Sequence, residues 1–126
     1  MNSSSKALNL LTPEFEHKDS RRVLTQLVTD NIQQVNSYQV NKGCVLGGHY
    51  HKDTDEYFYI TKGTFAVFMH PLGSKHALSR ILNKNSFFVA RSSFVHSLEA
   101  LTNGEFLTFL TKPFDQKEPD LWQDEL

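Results

Sequence analysis

Cysteine is almost absent from this sequence, since Cys44 is the only one among 126 residues. A lone thiol excludes an intrachain disulfide and is typical of a reducing compartment, so we expect a cytoplasmic location. Cys44 has apolar neighbours on a predicted strand, which indicates a small buried side chain rather than a nucleophile. The fold must then depend on its core rather than on cross-links.

Long apolar runs are missing as well. No stretch approaches the about 18 apolar residues that a membrane-spanning helix needs, and the N-terminal MNSSSKALNLLTPEF has too short an apolar run for a signal peptide. An excess of one charge sign is also absent, because 13 basic and 14 acidic residues are mixed along the chain and give a net charge of −1. We therefore expect neither nucleic acid nor a membrane surface as a partner.

The length bounds the domain organisation. A chain of 126 residues is one ordinary domain with enough surface to bury a core. We expect a single domain over residues 1–126, with a flexible start at 1–6 and a C-terminal tail, 113–126, packed on the rest. The acidic part of this tail is expected to form a helical turn.

Aromatic residues are plentiful, with ten phenylalanines and four tyrosines, while helix-favouring runs are few. This composition, together with apolar residues at strand-like spacing between turn signals, predicts an all-β fold. Nine short strands at close spacing are typical of a sandwich or a barrel of the jelly-roll type. The predicted strands cover residues 22–28, 32–40, 44–51, 56–61, 64–70, 77–82, 86–91, 96–101 and 105–111.

Two histidines and a carboxylate stand close together in GGHYHKDTDEYFYITKG, residues 47–63. On a strand, His49 and His51 point to the same face, because side chains alternate. The turn at KDTD then brings Glu56 back beside them. Imidazole nitrogens and a carboxylate are ligands for zinc, manganese, iron or nickel, so this spacing predicts a metal site, although a solvated hairpin with incidental histidines is the plain alternative.

The spacing Gly43-x5-His49-x-His51-x4-Glu56-x6-Gly63 resembles the first signature motif of the cupin superfamily at each of its five positions. Membership would imply an RmlC-like jelly-roll β-barrel, in agreement with the predicted strands. In cupins a second motif supplies a further histidine ligand, and SFFVARSSFVHSLEA offers His96 at that place. The resemblance thus implies a divalent metal ion, Zn, Mn, Fe or Ni, held by His49, His51, Glu56 and His96.

The second motif departs from the pattern at its turn. Asn85, Arg91 and Ser93 replace a glycine, a proline and a glycine, and Ala100 replaces an asparagine. Because those positions shape the turn before the ligand, we expect His96 to be the least constrained of the four.

A second resemblance is to cupins that modify nucleotide-activated sugars, including the cupin domain of capsular-polysaccharide biosynthesis enzymes. It is carried by DSRRVLTQL, KGCVLGGHYHK and FLTKPFDQKEPDLW, read in order. Leu46 stands where these cupins commonly have an arginine that can hold a phosphate. Lys52, Arg91 or the pair 21–22 are candidates to replace it. The resemblance implies a small-molecule partner such as a sugar or a sugar nucleotide.

Three functions remain open at this point. The first is a metal-dependent isomerase or epimerase of a carbohydrate or its activated form, for which Tyr38 is the one candidate general base. The second is an iron-dependent oxygenase of a small molecule, since three histidines and a glutamate also suit iron(II). The third is a non-catalytic cupin that binds a small ligand.

Outward-facing aromatics bear on the oligomeric state. Tyr57 and Tyr59 point to the face opposite Glu56, where they could be covered by a second layer of the same chain or by another subunit. With the apolar segment LNLLTPEF, residues 8–15, they favour a homodimer in which this segment pairs with a partner's sheet edge.

Overall fold

The computed structural model describes residues 10–13, 15–74, 76 and 78–123. Ten strands and no helix are found in these parts of the chain, so the helical turn expected in the tail is wrong for residues 113–123. The expected flexible start, 1–6, lies outside the described residues, as do residues 124–126 of the tail. The strands are β1 Phe15–Lys18, β2 Val23–Gln26, β3 Gln34–Val40, β4 Val45–His49, β5 Glu56–Lys62, β6 Phe65–Pro71, β7 Leu78–Leu82, β8 Phe87–Ala90, β9 Phe94–Ala100 and β10 Gly104–Leu110.

Two four-stranded antiparallel sheets face each other, and the hairpin β1-β2 lies outside them. The first sheet has the order β3-β10-β5-β8 and the second has the order β4-β9-β6-β7. The predicted all-β jelly-roll barrel is therefore confirmed. Within the described residues no helix has the length and apolarity needed to cross a bilayer.

The barrel interior is filled by alternate residues of both sheets. Ile60 of the first sheet and Phe65, Val67 and Met69 of the second are fully buried at 0% exposure, which is the period-two pattern that the sequence carries. Each such side chain contributes about 1.5–3 kcal/mol by leaving water. The core thus occupies one half of the barrel and leaves polar side chains at the other end.

A second, smaller cluster covers the outer face of the first sheet. Tyr57 is 7% exposed and packs with Phe87 and Val89 under Leu27 and other residues of the N-terminal part of the chain. Its hydroxyl donates a hydrogen bond to Asp30 at 2.8 Å. Of the two alternatives for the outward tyrosines, a second layer from the same chain is what covers Tyr57.

The N-terminal segment also pairs within the chain. Leu10 forms a β-bridge with Phe88, and the amide of Leu11 donates to the carbonyl of Phe87 at 2.9 Å. These contacts place residues 10 and 11 of the segment on the edge of β8 of the same chain, whereas the expectation was pairing with a partner's sheet edge. The homodimer itself stays a prediction.

Cys44 is exposed, against the expectation of a buried side chain. It precedes β4, which is an edge strand of the second sheet. Val45, the first residue of β4, is likewise 63% exposed, since it lies on this edge strand.

A bulge in β4 aims His49 into the barrel. Leu46 pairs with Leu98 and His49 pairs with His96, so three steps along β4 match two along β9. Residues three positions apart on a regular strand point to opposite faces, but the extra residue of the bulge reverses this alternation of side chains. His49 therefore faces inward, as Leu46 does. Gly47 makes this possible, because its φ is +99° and a Cβ there would lie 2.6 Å from the carbonyl oxygen of His96.

We expect Gly47→Ala to lower the free energy of unfolding by about 2–5 kcal/mol, the sum of left-handed strain and overpacking against β9. Gly48 is the matched control, since its φ is +80° and a Cβ added there would have nothing within 4 Å of it. Gly48→Ala should therefore cost only the strain, about 1–2 kcal/mol. Urea unfolding of both variants checks the difference, and equal losses would show that the contact with β9 is relieved without cost.

Candidate functional site

Four side chains meet at the polar end of the barrel. Each of His49, His51, Glu56 and His96 offers one ligand atom, and these atoms all lie within 4.8 Å of one another. His49 ends β4, Glu56 begins β5 and His96 lies on β9, so both sheets contribute. The structure thus brings together all four residues that the two motifs predicted as ligands. We call them the tetrad.

Glu56 is the hub of the tetrad. Its Oε1 lies 3.1 Å from Nε2 of His51 and 3.5 Å from Nε2 of His96. The other ring nitrogen of His51 donates to the carbonyl oxygen of Asp120 at 2.6 Å. His51 is thereby held between a carboxylate on one side and the main chain of the tail on the other.

His96 is the most buried member of the tetrad at 2% exposure, against 8% for His51 and 6% for Glu56. The turn residues that replace the motif's glycines adopt a glycine-like backbone, with φ of 74° at Asn85 and 69° at Ser93. A side chain in the left-handed backbone region usually lowers the free energy of unfolding by about 1–2 kcal/mol, and this applies to both residues. Both positions thus keep the backbone that glycine would adopt, and His96 is deeply buried, so the structure gives no support to the expectation that His96 is the least constrained of the four.

Ser93 also connects the two motifs directly. Its amide donates to the carbonyl oxygen of His51 at 2.7 Å, and its own carbonyl accepts from the amide of Leu72 at 2.9 Å. The turn before His96 is therefore tied to the backbone of His51.

Burial and mutual contact shift the proton affinities of the tetrad. Burial, followed by the neighbouring His96 and His51 rings, lowers the pKa of His49 to about 4. Burial would raise the pKa of Glu56, but its hydrogen bonds with His51 and His96 outweigh this and bring it to about 2. Burial would lower the pKa of His51, yet hydrogen bonds to Glu56 and to the Asp120 carbonyl raise it above 6.5.

The metal-free protein should be most stable near pH 6.5. Because the pKa of His49 falls from 6.5 to about 4 on folding, the unfolded chain binds more protons between these values, and stability declines as the pH falls through this window. The pKa of His51 is raised on folding, so its contribution to the free energy of unfolding is complete below pH 6.5. That contribution is lost as the pH rises through the pKa that His51 has in the folded protein. Urea unfolding from pH 4 to 8 checks the maximum. His49→Gln should flatten the acid side, and stability that kept rising above the maximum would contradict the assignment for His51.

Two adjoining cavities open at the tetrad. A cavity of 220 Å³ is lined by apolar core residues together with His49, Glu56 and His96. A larger one of 480 Å³ is lined by polar side chains of β3, by His49, His51 and Glu56, and by residues of the tail. Tyr38 borders both cavities and stacks on Phe106 with ring centroids 4.7 Å apart. Burial and then the Glu56 carboxylate raise the pKa of Tyr38, so it is a neutral phenol at pH 7.

Three of the basic residues considered for a phosphate contact have their side chains engaged elsewhere. Arg91 donates to Asp55 at 3.2 Å and to the hydroxyl of Tyr57, and Lys52 lies 3.7 Å over the ring of Trp122. Arg21 pairs with Asp19 at 3.0 Å. Among the described residues, the lining of both cavities includes no lysine or arginine.

The sequence matches the family described as the polysaccharide biosynthesis C-terminal domain over residues 17–122. This covers most of the chain, including β1 to β10 save for the first two residues of β1, and all four tetrad residues. The chain belongs to that family. Among curated proteins, none matches this sequence.

Solved structures share its fold at low sequence identity. The capsular polysaccharide assembling protein CapF of Staphylococcus aureus is 20% identical with a TM-score of 0.69, over 93% of this chain and 34% of CapF. The sugar 3,4-ketoisomerase QdtA of Thermoanaerobacterium thermosaccharolyticum, in complex with TDP, is 16% identical with a TM-score of 0.74, over 93% and 89% of the two chains. The RmlC epimerase of Mycobacterium tuberculosis is 18% identical with a TM-score of 0.70, over 86% and 65%.

These likenesses establish an RmlC-like cupin fold, as the resemblance had implied. The domain spans about a third of the length of CapF. The neighbours include epimerases and isomerases of sugar nucleotides, one of them in complex with TDP-4-keto-6-deoxyglucose.

One contributor to the site was not found from the sequence. Asp120 was noted only as part of the tail's resemblance, yet its carbonyl contacts His51. A contact between residues 69 positions apart leaves no periodic signal, so sequence spacing could not reveal it.

Proposed function

We propose that this domain is a metal-dependent isomerase or epimerase acting on a carbohydrate or a nucleotide-activated sugar. The observation that carries the proposal is the tetrad beside a neutral phenol, Tyr38, at the junction of two cavities. The fold of the neighbouring epimerases and isomerases supports it.

The donor set of the tetrad fits a divalent ion. Three imidazoles and one ionised carboxylate are suitable for zinc, manganese, iron or nickel, and the low pKa of Glu56 keeps its carboxylate charged at neutral pH. When bound, such an ion would polarise a carbonyl oxygen of the ligand as a Lewis acid.

The side chains around the cavities would bind the sugar and transfer protons. The amides and hydroxyl of Gln34, Asn36 and Ser37 line the larger cavity, where they would hydrogen-bond the hydroxyl groups of a sugar. Once the C–H proton next to the carbonyl has passed to water in the larger cavity, Tyr38, which stays protonated, would donate its hydroxyl proton to the carbon or oxygen of the enolate. The phenolate left behind would regain a proton from the same water, so Tyr38 acts as an acid rather than as the base first considered. The smaller cavity is walled largely by leucine, phenylalanine and glycine, so it would keep the reacting carbon in mostly apolar surroundings.

Deuterium exchange tests the proposal without knowledge of the product. The protein, loaded in turn with each of the four candidate metals, is incubated in D₂O with a nucleoside-diphosphate 4-keto-6-deoxy sugar and, separately, with free keto sugars. NMR then follows loss of the C–H signal next to the carbonyl. We expect metal-dependent exchange with at least one of them, and its absence throughout would contradict enolisation.

The same assay separates the alternatives. Binding of a sugar, seen by saturation transfer, without exchange would favour the non-catalytic cupin. Oxygen consumption that requires iron(II) would favour the oxygenase. Comparing the nucleotide-linked with the free sugars shows whether the nucleotide is needed for recognition.

A further inference from the structure

The tail contacts the tetrad through a short segment, residues 118–122, which we call the clamp. Trp122 and Tyr50 form a β-bridge with two hydrogen bonds of 2.9 and 3.0 Å between their backbones. The side chain of Trp122 lies under the ammonium group of Lys52. The clamp is thus attached to the stretch that joins His49 and His51 to the turn before Glu56.

Asp120 is the centre of the clamp. Its carboxylate accepts hydrogen bonds from the amides of Lys52 and Asp53, both at 2.8 Å, and from the hydroxyl of Thr54 at 3.0 Å. The indole of Trp122 donates to the same carboxylate at 3.0 Å. Four donors on one carboxylate lock the 52–54 turn to the tail.

The main chain of the same residue reaches the tetrad. The carbonyl oxygen of Asp120 accepts the Nδ1 proton of His51 at 2.6 Å, and this leaves Nε2 as the atom that faces Glu56. A carbonyl accepts only, so the contact requires the proton on Nδ1. This bond fixes the ring orientation, and it fixes Nε2 as the nitrogen on the Glu56 side, the one that could bind a metal in place of its proton.

We propose that Asp120 is a positioning residue for the tetrad: its carboxylate fixes the turn that precedes Glu56, and so its carbonyl fixes the ring of His51 with Nε2 toward the metal position. This inference rests on the metal binding in the proposed function. It assigns a role to the PD sequence of the tail, which lies beyond the last strand and which the barrel itself does not require.

A purely structural role would give a different result. If Asp120 only attached the tail, its loss would lower stability and leave the His51 ring unchanged. If it positions His51, its loss must also alter the ring and the metal affinity.

Asp120→Ala, Asp120→Asn and Asp115→Ala form the test set. Asp115 is the matched control, because it is also a tail aspartate, and among the described residues its carboxylate accepts from the amides of Lys117 and Glu118 within the tail. Two readouts are needed: the ring Nδ1 proton of His51 by NMR in the metal-free protein, and the affinity for Zn²⁺ by competition with a chromogenic chelator. Thr54→Val, which removes one bond to the same carboxylate, serves if Asp120→Ala does not fold.

We expect to observe the NMR signal of the hydrogen-bonded Nδ1 proton of His51 in the wild type and in Asp115→Ala. In Asp120→Ala this signal should disappear, because the proton exchanges with water. Zinc affinity should fall about 10–100-fold in Asp120→Ala, as for other groups that orient a ligand, and less in Asp120→Asn and Thr54→Val. An unchanged proton and affinity in Asp120→Ala or, failing that, Thr54→Val would overturn the proposal. If the wild type bound no metal, the proposed function would fail, while the NMR signal would still decide the role of Asp120.

Discussion

His96→Ala is expected to weaken metal binding at least as much as His51→Ala, in each case by more than the about 10–100-fold that loss of a mere supporting group costs. His96 is 2% exposed and its Nε2 lies 3.5 Å from the Glu56 carboxylate, so its imidazole is in place to bind the same ion as His51. Titration of both variants with zinc and nickel by calorimetry measures the two affinities.

His17→Ala is the control for this pair, since His17 is an exposed histidine bonded to Asp19 and far along the chain from the tetrad. It should bind metal as the wild type does. A His96→Ala protein that retained near wild-type affinity would mean that the second motif supplies no ligand, and the site would reduce to the residues of the first.

Tyr38→Phe should reduce turnover by about 10²–10⁴-fold, the usual range for loss of a positioned proton donor, if the exchange assay identifies a substrate. The phenol borders both cavities and is kept neutral by burial and by Glu56, so it is suited to donate at neutral pH. The ring would remain to stack on Phe106, and therefore stability and metal affinity should change little.

Tyr59→Phe is the matched control. Tyr59 lies on the outer face of β5 and its hydroxyl donates to Asn85 at 2.9 Å, away from both cavities. Its removal should leave turnover unchanged. If Tyr38→Phe retained full turnover, the proton would have to come from another group, and the role proposed for this phenol would be wrong.

The strands and the first motif could be read from the sequence because their signals are local. β5 is marked by a run of aromatic and β-branched residues, and β6 alternates between buried and partly buried positions, so both are visible in short stretches of sequence. β1 was missed because FEHK is exposed throughout and shows no such pattern. The grouping of His49, His51 and Glu56 could be predicted because a single turn brings these residues together. His96 is distant in sequence, and only the resemblance to cupins predicted it.

Features that depend on distant contacts could not be predicted in this way. The bulge at Gly47 exists because of the pairing between β4 and β9, and the cover over Tyr57 comes from residues about 30 positions before it. The left-handed backbone of Ser93 runs against the preference of serine, so local preference predicts a poorly formed turn at this position. In each case tertiary packing decides what local preference leaves open.

Metal analysis of the purified protein tests the central claim most directly. The domain is expressed without a histidine tag, purified without chelators, and its zinc, manganese, iron and nickel contents are measured by mass spectrometry beside those of His51→Ala and His96→Ala. We predict about one divalent ion per chain in the wild type, as expected for one set of four ligands, and a loss of that ion in both variants. A wild-type protein that carried no metal, and took up none when each of the four ions was supplied at neutral pH, would contradict the claim that the tetrad is a metal centre.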